Sequence, residues 1–207
     1  MQQPLPSEAE IDLDLLRSGD KAAFTQLVER YADSLYNLAL KLLGNQQEAE
    51  DALQETFLNA YKAIGSFEGR SSLNTWLYRI AYNTSLMQRR KKRAATVSID
   101  EPLTLDDGQV IPRQFFDWCC LPERDLLSEE ALEMMDEAVR QLPESLRPVF
   151  VLRDVEGLST SEAGEVLDLS DSAVKSRLHR ARLLLREQLS TYFAGRGSAN
   201  GEGKTDD

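Results

Sequence analysis

Phe24, Leu27, Val28, Tyr31, Leu35, Leu38 and Leu42 recur at intervals of three and four residues up to Gly44. That spacing lines one face of a helix, and a glycine after the last periodic residue is a C-terminal stop. The period returns after Asn45, which can cap a second helix with the apolar face Ala49, Ala52 or Leu53, Thr56 or Phe57, Ala60 and Ile64, ending at Gly65. Nowhere do apolar and polar residues alternate as they do in a half-buried strand. The chain is therefore expected to be all-α.

The remaining segments extend this pattern. Ser7-Glu8-Ala9-Glu10 has the form of a capping box, and Gly19 would stop the short helix that follows. After the loop Ser66-Phe67-Glu68-Gly69-Arg70, a fourth helix runs from about Leu73 into a basic tract, completing a first domain over residues 8–95. Residues 96–127 lack a helical period and contain Pro102, Asp106-Asp107-Gly108, Pro112 and Pro122, so they read as a long irregular acidic linker. A structureless connection longer than about 15 residues is uncommon unless functional or disordered. This one also carries Phe115, Phe116 and Trp118, which a solvated spacer does not need.

Helical spacing resumes from Leu126 to Leu142, and Pro143 begins another helix that reaches Val155 before Gly157. Ser159-Thr160-Ser161-Glu162 is a second capping box, opening a short helix to Leu167. The turn Asp168-Leu169-Ser170 leads to a longer helix from Asp171 to about Tyr192, completing a second domain over residues 128–193. With 42% apolar residues in 207, each domain has enough apolar side chains for a core. Residues 194–207 are rich in Gly, Ser, Asn and charge and are expected to be a disordered tail.

A formal net charge of -11 argues against a nucleic-acid partner, because a polyanion repels an acidic protein. The distribution reverses that argument. No acidic residue lies between Ser71 and Arg93, a stretch holding Arg79, Arg89, Arg90, Lys91, Lys92 and Arg93. A second acid-free stretch, Ser172 to Arg186, holds Lys175, Arg177, Arg180, Arg182 and Arg186. Acid collects in the N-terminal segment and from Asp100 to Glu137. Two confined basic patches on an acidic chain imply DNA contact that is weak for either patch alone.

Several classes of function have no footing. The lone histidine, His179, sits among arginines with no second histidine, so no catalytic, metal or cofactor site is expected. Cys119 and Cys120 are adjacent, a spacing that suits neither a disulfide framework nor a zinc knuckle. The neighbouring Asp117 and Glu123 would disfavour a reactive thiolate, so a packing role is expected for this pair. No apolar run approaches the roughly 20 residues of a membrane span, and Met1-Gln2-Gln3-Pro4 lacks the features of a signal peptide. A cytoplasmic location without membrane insertion is expected.

A short capped helix, a three-residue turn and a longer basic helix make a helix-turn-helix, whose second helix enters the major groove. On that helix Val174, Leu178, Ala181 and Leu185 form the inward stripe. Lys175, Ser176, Arg177, His179, Arg180 and Arg182 point elsewhere and can meet base edges and phosphates. The plainer alternative is a solvated basic face. The fourth helix mixes Trp76, Tyr78, Tyr82 and Asn83 with the Arg89-Arg90-Lys91-Lys92-Arg93 tract. Single-stranded DNA is held by such a combination, with aromatics stacking on bases and cations tracking the backbone. Trp76 reads as core with Leu77, Ile80 and Thr84. For Tyr78, Tyr82 and Asn83 the core and DNA-binding readings both stay open.

Taken together, these residues resemble the extracytoplasmic function (ECF) group of bacterial sigma factors. The resemblance rests on Gly19-Asp20-Lys21-Ala22-Ala23-Phe24, Asp51-Ala52-Leu53-Gln54-Glu55-Thr56-Phe57, the run from Phe67 to Ala81, Leu142-Pro143-Glu144 with Arg147, and Ala173 to Arg182. The strings occur in the family's order and cover both domains. The resemblance implies a transcription initiation factor with a region 2 domain and a region 4 helix-turn-helix domain. It implies that Asp51, Gln54, Glu55 and Phe57 grip the coiled coil of the largest subunit of core RNA polymerase, while the second domain meets the polymerase flap. Phe67, Gly69, Arg70, Ser71, Tyr78, Tyr82, Asn83, Arg89 and Arg90 would capture and open the minus-ten element of promoter DNA. Lys175, Ser176, Arg177, His179, Arg180 and Arg182 would read the minus-thirty-five element. The linker would thread through the polymerase toward the RNA path. Control by an anti-sigma protein is common in the family, and a monomer is expected when the chain is free.

Two positions depart from the family's pattern. Ala163-Gly164 replaces a branched residue and alanine, and a glycine inside a helix costs about 1 kcal/mol. Asp168 stands where a turn glycine is common, a place Asp tolerates better than most residues.

Two alternatives make different demands. A conventional helix-turn-helix regulator acting without polymerase would bind a palindrome as a dimer, and no stretch suggests a dimer interface. A serine recombinase would need an α/β catalytic domain ahead of its helix-turn-helix, where this chain reads as helix.

Overall fold

The computed structural model describes the backbone of residues 11–96 and 129–199 and the side chains of residues 11–92 and 133–190. The Ser7 capping box, the linker with its three aromatics and two cysteines, and the residues beyond Ala199 lie outside the described residues. Among the described residues every regular element is helical: α1 Leu13–Arg17, α2 Lys21–Leu43, α3 Gln46–Ala63, α4 Leu73–Thr96, α5 Glu129–Gln141, α6 Arg147–Phe150, α7 Thr160–Leu167 and α8 Asp171–Ala199. A 3₁₀ turn, Ile64–Ser66, follows α3, and a π-helical turn, Val151–Val155, continues α6.

Local chemistry sets most boundaries. Asp12, Asp20, Asn45 and Ser159 each cap a helix with a side-chain oxygen that accepts from a first-turn N–H. Asp12 thus starts α1 inside the expected segment. Gly44 closes α2 in the left-handed region at φ 72°, where a side chain would be strained. Pro143 does not start α6. Its carbonyl instead accepts from the N–H groups of Leu146 and Arg147, forming a turn before the helix. The last helix runs beyond Tyr192 to Ala199, correcting the expected tail from residue 194. Extending a formed helix adds one hydrogen bond per residue without a new nucleation cost.

Helices α2, α3 and α4 pack through the expected stripes, with Leu27, Leu35, Leu38, Leu42, Ala60 and Leu77 buried. The polar residues enclosed there bond locally: Thr56 Oγ1 donates to the Ala52 carbonyl at 2.6 Å and Ser85 Oγ to that of Ala81 at 2.8 Å. In the C-terminal half Leu142, Val149, Leu152, Val166, Val174, Ala181 and Leu185 form the corresponding interior.

The two halves meet. Helix α4 lies against α7, and the buried apolar residues of both halves form one contiguous cluster. Polar bonds cross the contact at several points. The Tyr78 hydroxyl donates to Glu156 Oε2 at 2.8 Å, and Lys41 Nζ pairs with Asp136 Oδ1 at 2.8 Å. Arg89 pairs with Glu144, and Arg147 Nη1 donates to the Leu42 carbonyl at 3.4 Å.

Candidate nucleic-acid interface

The second basic surface is built by α7, its turn and α8. The Ser159 hydroxyl accepts from the Glu162 N–H at 3.2 Å, while Glu162 Oε2 accepts from the Ser159 N–H at 2.7 Å, so the expected capping box is complete. The bond from Ser159, with smaller help from Thr75 and Arg153, holds the Glu162 carboxyl below the usual range. Asp168 closes α7 in the left-handed region at φ 56° and ψ 49°. The chain then doubles back so tightly that the Leu169 N–H donates to the Gly164 carbonyl at 2.9 Å.

Gly164 therefore has a reason that helix propensity hides. A Cβ on Gly164 would stand 2.7 Å from the Leu169 carbonyl oxygen, a backbone atom that cannot swing aside. The Gly164→Ala variant is expected to lose about 1–3 kcal/mol of stability, the usual cost of overpacking, despite alanine's better helix propensity. Denaturant unfolding of the purified variant measures this. Unchanged or raised stability would show that the turn relaxes freely.

On α8, Val174, Leu178, Ala181 and Leu185 face inward and Lys175, Ser176, His179 and Arg180 are exposed. The other two arginines of the set are engaged within the protein. Arg182 makes a two-pronged pair with Asp154, Nε to Oδ2 at 2.7 Å and Nη2 to Oδ1 at 2.6 Å, which raises its pKa above the ordinary arginine value. Arg177 is half-buried and lines a cleft between the halves with Tyr82, Glu144, Pro148 and Leu169.

The first surface lies on α4 and the loop before it. Tyr78 is fully buried, with its hydroxyl on Glu156, so it serves the contact between the halves. Burial, and then the Glu156 charge, raise its pKa strongly. Tyr82 is half-buried in the cleft; burial raises its pKa, while Arg177, Arg89 and Arg90 oppose the rise. Arg89 is taken up by Glu144. Asn83 and Arg90 are exposed, and Arg79, one turn before Asn83, joins them on the same stripe. Arg79 lies outside the expected set, and its spacing of four from Asn83 is the signal that puts it on this stripe. In the loop, Phe67 is buried with its ring 5.1 Å from Trp76, whereas Gly69 and Arg70 are exposed and Ser71 partly so. The Arg70 guanidinium pairs with Glu68.

On α3, Asp51 and Gln54 are exposed and Glu55 is half-exposed, while Phe57 packs inward with its ring 6.5 Å from Phe24. Leu58 and Tyr61 are 59% and 45% exposed on this helix, apolar area that a solvated face does not need. They lie four and seven residues after Gln54, a helical spacing that puts all three on one face.

Between the halves the partly buried Glu156 carboxyl accepts from Tyr78. Burial raises its carboxyl above the usual range, while the Tyr78 hydrogen bond and Lys41 oppose that rise. The packed arrangement thus holds a proton more readily than separated halves do. Packing is favoured as pH falls from the raised value toward the ordinary 4.5 and loses that support as pH rises through the raised value. Energy transfer between dyes on α3 and α8 is expected to increase over that fall in pH, and Glu156→Gln should abolish the pH dependence. A flat profile in the unsubstituted protein would count against it.

Comparison with known proteins places this arrangement in a class. Residues 27–95 match the family described as Sigma-70 region 2, and residues 132–185 match Sigma-70, region 4. The chain is 37% identical over 174 residues to the ECF RNA polymerase sigma factor SigW of Bacillus subtilis, covering 84% of this chain and 92% of that protein. It is 35% identical over 179 residues to the RNA polymerase sigma-H factor of Pseudomonas aeruginosa, covering 82% and 88%. Among solved structures it is similar to that of CnrH in complex with the cytosolic domain of CnrY, with TM-score 0.63, 27% identity and coverage of 86% and 95%. It is also similar to the sigma factor RpoE in complex with the anti-sigma factor NepR from Bartonella quintana, with TM-score 0.59, 26% identity and coverage of 81% and 96%. The two helical halves are the region 2 and region 4 domains of a sigma factor. The chain belongs to the ECF RNA polymerase sigma factor family. Among the described residues no helix is long and apolar enough to cross a membrane.

Proposed function

We propose that this protein binds core RNA polymerase and, as its subunit, recognises and opens promoter DNA, contributing no nucleotide chemistry of its own. The observation that carries the reading is the pairing, on one chain of this family, of an exposed Arg79–Asn83–Arg90 stripe on α4 with exposed Lys175, Ser176, His179 and Arg180 on α8. Asn83, Gly69, Arg70 and Ser71 meet the minus-ten strand, and the α8 group meets the minus-thirty-five duplex. Asp51, Gln54 and Glu55, with Leu58 and Tyr61, form the surface for the polymerase coiled coil. Residues 8–95 and 128–193 act as separate units during initiation, in the cytoplasm.

The closed packing is then a state that must open. Elements about 25 base pairs apart are separated by roughly 85 Å at about 3.4 Å per base pair. Tyr82 and Arg177 line one cleft here, so both surfaces cannot engage their elements at once while packed. The 32 residues between α4 and α5 can span at most roughly 100–115 Å when extended, which suffices. Because the related RpoE structure holds an anti-sigma factor, a partner that favours the packed state is a natural regulator.

Run-off transcription from a genomic fragment library, with purified core polymerase alone and with this protein, tests the reading alongside co-elution of the two. Specific transcripts are expected only with both components. Tight binding of the protein alone to a palindrome, without co-elution, would instead favour a conventional regulator.

A further inference from the structure

Helix α1 is only five residues long, and it delivers one charged side chain to the loop that precedes α4. Arg17, its last residue, donates from Nε to the Phe67 carbonyl at 3.0 Å. Its Nη2 lies alongside Gly69, where a Cβ would come within 3.8 Å. Its own carbonyl stands 3.7 Å from where a Cβ on Gly65 would sit. Arg17 Nη1 meets Asp14 Oδ1 at 3.3 Å, which aims the guanidinium. Helix α1 itself is pinned by Ile11 and Leu16, which are 8% and 1% exposed. One residue thus braces the loop from residue 65 to residue 69, while the Phe67 ring locks beneath against Trp76.

We infer that Arg17 is a positioning residue for base capture: it fixes the backbone of the Ser66–Ser71 loop in the shape that selects the extruded minus-ten base. The inference rests on the proposed role of that loop. Selecting a base demands groups held in place before it arrives, because a loop ordered only on binding loses affinity and discrimination together. A guanidinium suits the task, since its planar fork can serve the Phe67 carbonyl with one nitrogen while another lies along the Gly69 backbone.

The test uses the full chain with core polymerase on one promoter carrying each base in turn across the minus-ten non-template strand, as closed duplex and as a pre-opened bubble. Permanganate reactivity reads opening on the duplex, and competition reads base preference on the bubble. Arg17→Ala is expected to lower opening about tenfold, the scale of losing a charge-assisted hydrogen bond, and to flatten base preference. Co-elution with polymerase should change little, and the melting temperature should fall by only about 2–4 °C per kcal/mol lost. Arg17→Lys is expected to flatten preference too, because a rotating ammonium lacks the planar fork that holds the Phe67 carbonyl at a fixed angle while packing beside Gly69.

Equal weakening on every base, with preference intact, would overturn the inference in favour of a phosphate contact. Full function in Arg17→Lys would overturn it in favour of charge alone. The loop variant Arg70→Ala/Ser71→Ala separates the two levels of the argument. If it leaves preference intact, the loop reading itself fails, and the inference with it. If it flattens preference while Arg17→Ala does not, the inference about Arg17 alone fails.

Discussion

The double variant Lys175→Ala/Arg180→Ala should weaken holoenzyme binding to promoters with an intact minus-thirty-five element about 100-fold, as expected for losing an arginine on a base edge and a lysine on phosphate. Both side chains are exposed on the first three turns of α8, and among the described residues neither holds a hydrogen bond or ion pair that its removal would strand. Folding should therefore survive, and circular dichroism melting checks that it does. Filter binding across minus-thirty-five variants then measures the loss. Arg182→Ala provides the contrast. Its guanidinium already holds Asp154 in a partly exposed pair, so removing it should cost stability only about 0.2–1 kcal/mol and leave base preference unchanged. If Arg182→Ala changed base preference and the double variant did not, the assignment of the reading face on α8 would be wrong.

The second large effect concerns the closed packing. Lys41 and Asp136 face each other across the halves at 2.8 Å, on α2 and α5, and remain accessible to solvent. In a background of Cys119→Ser and Cys120→Ser, a short reducible crosslinker between Lys41→Cys and Asp136→Cys would hold the halves together. Promoter-dependent transcription is then expected to fall about 100-fold or more, because two linked binding units lose their mutual advantage when geometry forbids simultaneous engagement. Reduction of the linker should restore it. Full activity while crosslinked would show that the halves work as packed.

Much of this protein is legible along the chain. The periodic stripes of α2, α3 and α8 identify the residues that are buried, and Ser159 with Glu162 announces the start of α7. Even Asp168 signals its turn, since Asp tolerates the left-handed conformation. Departures from this legibility have particular causes. The Pro143 start was misplaced because proline suits a turn as readily as a first helical position, and only packing chooses. Gly164 looked like a defect because helix propensity counts a residue's own freedom and is blind to a backbone oxygen five residues away.

The candidate site divides along the same line. Periodicity determined that Lys175, Ser176, His179 and Arg180 face away from the core of α8, whereas Asn83 on α4 stayed open between core and DNA until the structure placed it in solvent. Tyrosine carries an apolar ring and a polar tip, so spacing alone left Tyr78 and Tyr82 between core and solvent. The tertiary structure decided them by laying α4 on α7, placing the Tyr78 hydroxyl on Glu156 and Tyr82 beside Arg177. It likewise decided that Arg182 belongs to Asp154 and Arg17 to Phe67. Local sequence fixes which face of a helix is apolar, because that follows from 3.6 residues per turn. Which distant charge meets which carbonyl depends on how whole helices dock, and pairs 28, 50 and 78 positions apart leave no mark in the local spacing.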